Sequence, residues 1–253
     1  MDDLTLAAGL VRDAGELAAR MLHDGLETHR KTSVSDVVSA ADHAAEHLVV
    51  TRLREQRPDD AIVGEEGTAD DGANRRVWFV DPVDGTYNFL SRLPTWCAAV
   101  ALAPSADGPP ELGAIYQPTT DELWLGGAGA PVTRNGAPLA ALTDRPLAEV
   151  SLATYLHPTT LPDPDLREPL LRVMQGAATV RMLGSGSVEL AAIAAGRLGA
   201  SVQADSLPWD WLPGAALVLA AGGAAEVVRA RGHRWHLAGN RRAVDELAAL
   251  VTA

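Results

Sequence analysis

Residues 77–86 read Val-Trp-Phe-Val-Asp-Pro-Val-Asp-Gly-Thr, an apolar run leading straight into two carboxylates spaced i, i+3 and then into glycine and a hydroxyl residue. Val77 to Val80 have the β-branched and aromatic character of a buried strand. Pro82 keeps Asp81 out of the helical region, and Gly85 permits an abrupt turn, with a helix start expected near Thr86. Asp81 and Asp84 would then converge at the strand end, with the Val83 carbonyl between them. Such a set of oxygens suits a hard divalent cation, and exposed N–H groups at a helix start suit a phosphate. A strand that simply ends in an Asp-Gly turn accounts for this stretch equally well.

Three further stretches bear on the choice. Ala61-Ile62-Val63 reads as a second short strand, and Gly64-Glu65-Glu66-Gly67 after it adds carboxylate. Trp209-Asp210-Trp211-Leu212-Pro213-Gly214 sets an aspartate ahead of an apolar helix from Ala215 to Ala221. Ser35-Asp36-Val37-Val38-Ser39-Ala40-Ala41-Asp42 ends in an acid at a helix start. Taken in chain order, the Gly-Glu-Glu, Asp-Pro-Val-Asp-Gly-Thr and Trp-Asp-x-x-Pro-Gly elements resemble the inositol monophosphatase family of Mg2+-dependent phosphatases. The resemblance runs from about Lys31 to Gly223, and the three elements in this order make it specific. It implies an α/β fold, the αβαβα layered sandwich of the inositol monophosphatase and fructose-1,6-bisphosphatase type. The chain is then one domain over residues 1–253, with an N-terminal half of about 1–139 and a C-terminal half of about 140–253. A homodimer is implied as well.

Composition agrees with this reading. The 253 residues are 47% hydrophobic but only 4% aromatic, which describes a compact chain rich in Ala, Leu and Val. A net charge of −12 argues against nucleic acid or an anionic membrane as the main partner. The single cysteine, Cys97, has no internal partner and lies in an apolar run, so it is read as buried and inert. The start Met1-Asp2-Asp3 lacks a signal-peptide pattern, and no apolar run reaches the roughly 18 residues of a membrane span. A cytoplasmic location is expected.

Helical spacing marks residues 4–22, and a polar loop is expected over 23–35. A helix over 40–57 carries Ala41, Ala45, Leu48, Val49 and Leu53 on its apolar stripe. Strands are expected at 61–63, 77–80, 96–103, 112–117 and 122–125, with a tight turn at Asn135-Gly136. Strands and helices then alternate. Strands fall at 149–154, 179–183, 200–203, 225–229 and 234–237, and helices at 165–176, 187–196, 210–221 and 241–251. Pro158 to Pro169 is expected as a surface loop.

Carried over residue by residue, the resemblance implies that Glu65, Asp81 and the Val83 carbonyl hold one Mg2+, while Asp81, Asp84 and Asp210 hold a second. Two or three Mg2+ ions per site are implied, with Mn2+ able to substitute. Asp42 and Thr86 would orient the attacking water, and Glu65 counts with them as catalytic. Asp84, Gly85, Thr86, Gly184, Ser185, Gly186, Gln203 and Asp210 would meet the substrate, a small phosphorylated polyol or sugar. Asp42 reads equally as a helix cap, and a cap is the alternative for Asp210 as well, although caps are seldom bracketed by two tryptophans. Glu66 is expected to point away from the site on an extended segment, either behind the ligands or at the surface. Lys31, where the family often carries a lysine, is expected at the surface, able to swing in. The family's inositol phosphatases place Glu seven residues ahead of the Trp-Asp aspartate, whereas this chain has Gln203. An amide cannot make charge-assisted bonds, which disfavours myo-inositol 1-phosphate and amine-bearing substrates such as histidinol phosphate. Tyr87 stands where relatives carry a small residue or Lys and would narrow the entrance.

Three rival readings remain. A haloacid-dehalogenase-type phosphatase needs its second acid two residues after the nucleophile, not three. A zinc hydrolase would use His43-Ala44-Ala45-Glu46-His47, although both histidines are expected on the exposed side of their helix. A non-catalytic binding protein would keep the fold and lose the ligands.

Overall fold

A computed structural model describes residues 1–25, 28–30, 37–106 and 108–253. Lys31, Ser35 and Asp36 lie outside the described residues. The first helix, α1 (Asp3–Asp24), begins where the Asp2 carboxylate accepts the Thr5 N–H at 2.7 Å. Helix α2 (Ala40–Gln56) packs beside it. Between them β1 (Thr28–Arg30), inside the expected polar loop over 23–35, and β2 (Val37–Ser39), just after it, form an antiparallel ribbon. Three-residue strands carry too little periodicity to be seen.

Eight strands build the large sheet, in spatial order β10-β9-β8-β7-β6-β5-β3-β4. They are β3 (Ala61–Gly64), β4 (Ala69–Asp70), β5 (Val77–Asp84), β6 (Cys97–Ala103), β7 (Leu112–Gln117), β8 (Glu122–Gly127), β9 (Ala130–Arg134) and β10 (Ala137–Pro138). Only β3 and β5 pair in parallel within it. The β9–β10 connection is the expected Asn135-Gly136 turn, with both residues at positive φ. Strand β5 runs four residues beyond the expected 77–80, through both aspartates, because its pairing with β6 shifts register between Asp81 and Asp84. That irregularity is what lets Pro82 sit inside a central strand.

A short helix, α3 (Thr86–Leu90), follows β5. The second half then supplies β11 (Ser151–Thr154), α4 (Pro164–Gly176), β12 (Thr179–Arg181), α5 (Gly186–Ala194), β13 (Ala200–Ala204), α6 (Pro208–Ala220), β14 (Ala224–Ala230), β15 (His233–Gly239) and α7 (Arg241–Thr252). The expected surface loop over 158–169 stops at Asp163. Its carboxylate accepts the Asp165 N–H at 2.9 Å and starts α4, with Pro164 in the first turn and Pro169 buried in the helix. Proline is tolerated in a first turn, where the N–H has no partner to lose.

The five strands of this half run β12-β11-β13-β15-β14. Alternation along β5 shows how the layers stack. Trp78 and Val80 face α1 and α2 with Leu6, Leu10, Val49 and Leu53, while Val77 and Phe79 face α5 and α6 with Ile193, Leu217 and Val218. The small sheet turns Val202 and Leu237 toward Leu170 of α4 and Val244 and Leu247 of α7. The order is thus helix pair, large sheet, helix pair, small sheet, helix pair: the αβαβα sandwich. Helix α6 is buried continuously from Trp211 to Val218, as a middle layer requires.

Candidate active site

The irregular end of β5 assembles the centre. Pro82 has no N–H, and the Asp81 carboxylate bridges over it to accept the Val83 N–H at 3.0 Å. Asp84 points toward the second half, where its Oδ2 accepts the Ser187 N–H at 2.5 Å at the start of α5. Gly85 then takes φ 95°, and a Cβ there would lie 3.1 Å from both the Gly184 and Thr95 carbonyl oxygens. Glycine is demanded twice, by dihedral and by contact. The turn delivers Thr86 to the first position of α3, where its hydroxyl has two acceptors, Asp42 Oδ1 at 3.3 Å and the Val83 carbonyl at 3.2 Å. Asp42 is fully buried in the first turn of α2, which begins at Ala40.

The remaining acids arrive from separate elements. Glu65 follows β3, and its N–H donates to the Val80 carbonyl at 3.1 Å beside Asp81. Asp210 lies in the first turn of α6 and accepts the N–H of Leu207, the residue before the helix. It therefore does cap α6, from inside the first turn. Burial raises the Asp81 carboxyl well above its ordinary range, and the charges of Glu65, Asp84, Asp210 and Asp42 add to that. Burial, then the Asp84 charge, pushes Asp210 up to about 7. Asp84 is also raised by burial, with donors at the start of α5 holding the rise back. Carboxylates so placed destabilise one another unless a cation or proton offsets them.

That donor set fits Mg2+: Glu65, Asp81, Asp84, Asp210 and the Val83 carbonyl are all oxygen ligands. Among the described residues, no three Asp, Glu, His or Cys side chains stand close enough together to hold an ion as placed. The fit therefore rests on the chemistry of the donors and the mutual push on their carboxyls, not on a preformed cage. The zinc reading fails on geometry. His43 and His47 are exposed on α2, while Glu46 faces the interior. Cys97 is buried and free, its thiol pushed well up by burial.

Three of the residues expected to meet the substrate, Gly184, Ser185 and Gly186, lie at the start of α5. Gly184 has φ 80°, Ser185 caps α5 by accepting the Val188 N–H at 3.4 Å, and Gly186 begins the helix. Gln203 is half-buried on β13, its Oε1 at 3.8 Å from where a Gly186 Cβ would stand. Tyr87 is exposed on α3.

Four residues around the site were missed or misread from sequence. Asn88 Nδ2 donates to the Thr95 and Leu183 carbonyls, both at 2.7 Å, and ties α3 to the loop before α5. Glu189 is buried and accepts the Leu183 N–H at 2.7 Å, burial raising its carboxyl to about 8. Glu46 is buried beneath the Glu65 turn. Glu66 does not reach the surface: its side chain is 2% exposed, with His43 Nδ1 at 3.6 Å. Residues 65 and 66 form a turn and not the expected extended segment, and Glu66 lies against His43 of α2.

A family model described as the inositol monophosphatase family matches residues 2–251. An inositol-1-monophosphatase of Bacillus subtilis is 30% identical over 223 residues, covering 86% of this chain and 82% of that protein. The Nus factor SuhB of Escherichia coli (strain K12) is 32% identical over 246 residues, covering 94% of this chain and 89% of that one. The crystal structure of extragenic suppressor protein suhB from Bartonella henselae superposes with a TM-score of 0.85 at 26% identity, covering 98% of this chain and 97% of that chain.

Proposed function

The chain belongs to the inositol monophosphatase family and is a phosphoric monoester hydrolase, and from that premise we propose that it cleaves a small polyol or sugar phosphate with Mg2+. The observation that carries the reading is the convergence on Asp81 of carboxylate charge from Asp84 on its own strand and from Glu65 and Asp210 on two other segments of chain.

Glu65, Asp81 and the Val83 carbonyl would hold one ion, and Asp81, Asp84 and Asp210 a second, with two or three bound in all and Mn2+ able to substitute. Bound cations supply charge neutralisation at the phosphoryl oxygens and make a water more acidic. The protein's own part starts at Thr86. With its hydrogen donated to Asp42, the Thr86 oxygen is left to accept from a water and so aligns it for attack. Asp42 fixes that orientation from a buried position. The Gly85 and Thr86 amides would meet the phosphate, and Gly184, Ser185, Gly186 and Gln203 the hydroxyl-bearing remainder. Gln203 is a neutral amide, which favours sugar or polyol phosphates over amine-bearing ones such as histidinol phosphate.

A homodimer acting in the cytoplasm, without nucleic acid or membrane as partner, belongs to the same proposal. The lone buried Cys97 suits a reducing compartment. Likeness to a protein named as a Nus factor supports a second reading, a non-catalytic binding role on the same scaffold. With a candidate residue at every ligand position, that role would accompany hydrolysis, not replace it.

Asp84→Asn and Asp210→Asn test the assignment. Each should lower kcat on a phosphomonoester by about 10²-fold or more, the usual scale for losing a group that stabilises transition-state charge. Wild-type rates in both variants would remove the acid cluster from the chemistry.

A further inference from the structure

Glu46 sits on the buried face of α2, 4% exposed, one turn beyond Asp42. Its carboxylate is committed to a single loop. Oε2 accepts the Glu66 N–H at 2.8 Å, and Oε1 accepts the Thr68 N–H at 3.2 Å and the Thr68 hydroxyl at 2.7 Å. These donors flank Gly67, at φ 106°, in the turn that joins β3 to β4 directly after Glu65. The approach is so close that a Cβ on Gly64 would stand 2.5 Å from both Cδ and Oε2 of Glu46. Glycine at 64 is therefore the space into which this carboxylate fits.

We propose that Glu46 is a positioning residue for Glu65: it clamps the Gly64–Thr68 turn and so fixes where the Glu65 carboxylate stands relative to Asp81. The inference rests on the reading of Glu65 as a cation ligand. It extends that reading to α2, whose single buried face carries both Asp42, which holds Thr86, and Glu46, which holds the turn after Glu65. Residues at i and i+4 share a helix face, so one rigid element sets the water side and the cation side together. Partners that orient a ligand typically carry about 10–100-fold of metal affinity.

The test is Mn2+ binding to the full chain, measured by electron paramagnetic resonance of the free ion in wild type, Glu46→Gln, Glu65→Gln and the double variant. In Glu46→Gln the side chain keeps its shape but presents an NH2 to donors that need an acceptor. The Mn2+ dissociation constant should rise by about tenfold in Glu46→Gln. In the Glu65→Gln background the same change should add less than about twofold, because coupled residues are not additive. A residue that merely stabilised the fold would lower Tm and act additively in both backgrounds, which would overturn the proposal. Unaltered Mn2+ affinity in Glu46→Gln, with affinity lost in Glu65→Gln, would overturn it while leaving Glu65 as a ligand. Unaltered affinity in Glu65→Gln would overturn the ligand reading itself, and the clamp with it. Should Glu46→Gln fail to fold, Thr68→Val decides. It removes one of the three hydrogen bonds, and a smaller rise in the dissociation constant supports the clamp where no rise overturns it.

Discussion

Thr86 has one hydroxyl hydrogen and two acceptors within reach, Asp42 Oδ1 and the Val83 carbonyl. Whichever it serves, its oxygen remains an acceptor for water. Thr86→Ala should therefore lower kcat by about 10²–10⁴-fold, the scale of positioned proton chemistry, and leave KM within about threefold. Steady-state kinetics on one phosphomonoester checks this; a change confined to KM would make Thr86 a phosphate contact instead. Gln203 lies beside Gly186, where an amide makes one charge-assisted bond fewer than a carboxylate, worth about 1.5–3 kcal/mol. Gln203→Glu should raise kcat/KM on myo-inositol 1-phosphate over glycerol 2-phosphate by roughly tenfold to a hundredfold, and an unchanged ratio would turn Gln203 away from the substrate. Glu65, Asp81, Asp84 and Asp210 of the proposed site were legible because each stands in a short motif with glycine or proline to shape it, which Asp42 does not. Glu46 was not, because a charged residue in a helix reads as solvent-facing. Yet Asp42, Ala45, Glu46, Val49 and Leu53 fall on one face, and an acid within an apolar stripe is itself the signal.

Helix α5 opens on the site: Ser185 caps it, Asp84 accepts from Ser187, and Glu189 in its first turn holds the Leu183 N–H. Glu189 is 2% exposed, and burial lifts its carboxyl from 4.5 to about 8. Between those values the folded chain keeps a proton that the unfolded chain releases, so stability falls as pH rises. In metal-free buffer the loss should be on the order of a few kcal/mol, or about 2–4 °C of Tm for each. Glu189→Gln should flatten that slope, and thermal melts from pH 5 to 9 with equal slopes in both proteins would acquit Glu189. At this scale the longer elements were legible because their periodicity spans several turns. The β1–β2 ribbon and β4, of two or three residues each, were not. The end of β5 was missed for another reason. Proline and two aspartates argue against a strand, and only the shift in pairing with β6 accommodates them.

The layers meet where the chemistry is proposed. Glu65, Asp81 and Asp84 hang from the large sheet, Asp210 from a middle-layer helix, and Gln203 from the small sheet. Alternating strands and helices after residue 140 made the α/β class legible. The place of α5 and α6 between the sheets follows from helices apolar on every side, which only a middle layer can bury. What composition left open was which end of the sheets would gather the acids, since a net charge of −12 is spread over the whole chain. The most direct measurement of the central claim is inorganic phosphate release by the wild-type chain from a panel of sugar and polyol phosphates, with Mg2+ and with excess EDTA. Release with Mg2+ that vanishes in EDTA and returns on adding Mg2+ or Mn2+ is the expected result. Full release by the metal-free protein, or none from any phosphomonoester with Mg2+ present, would contradict it.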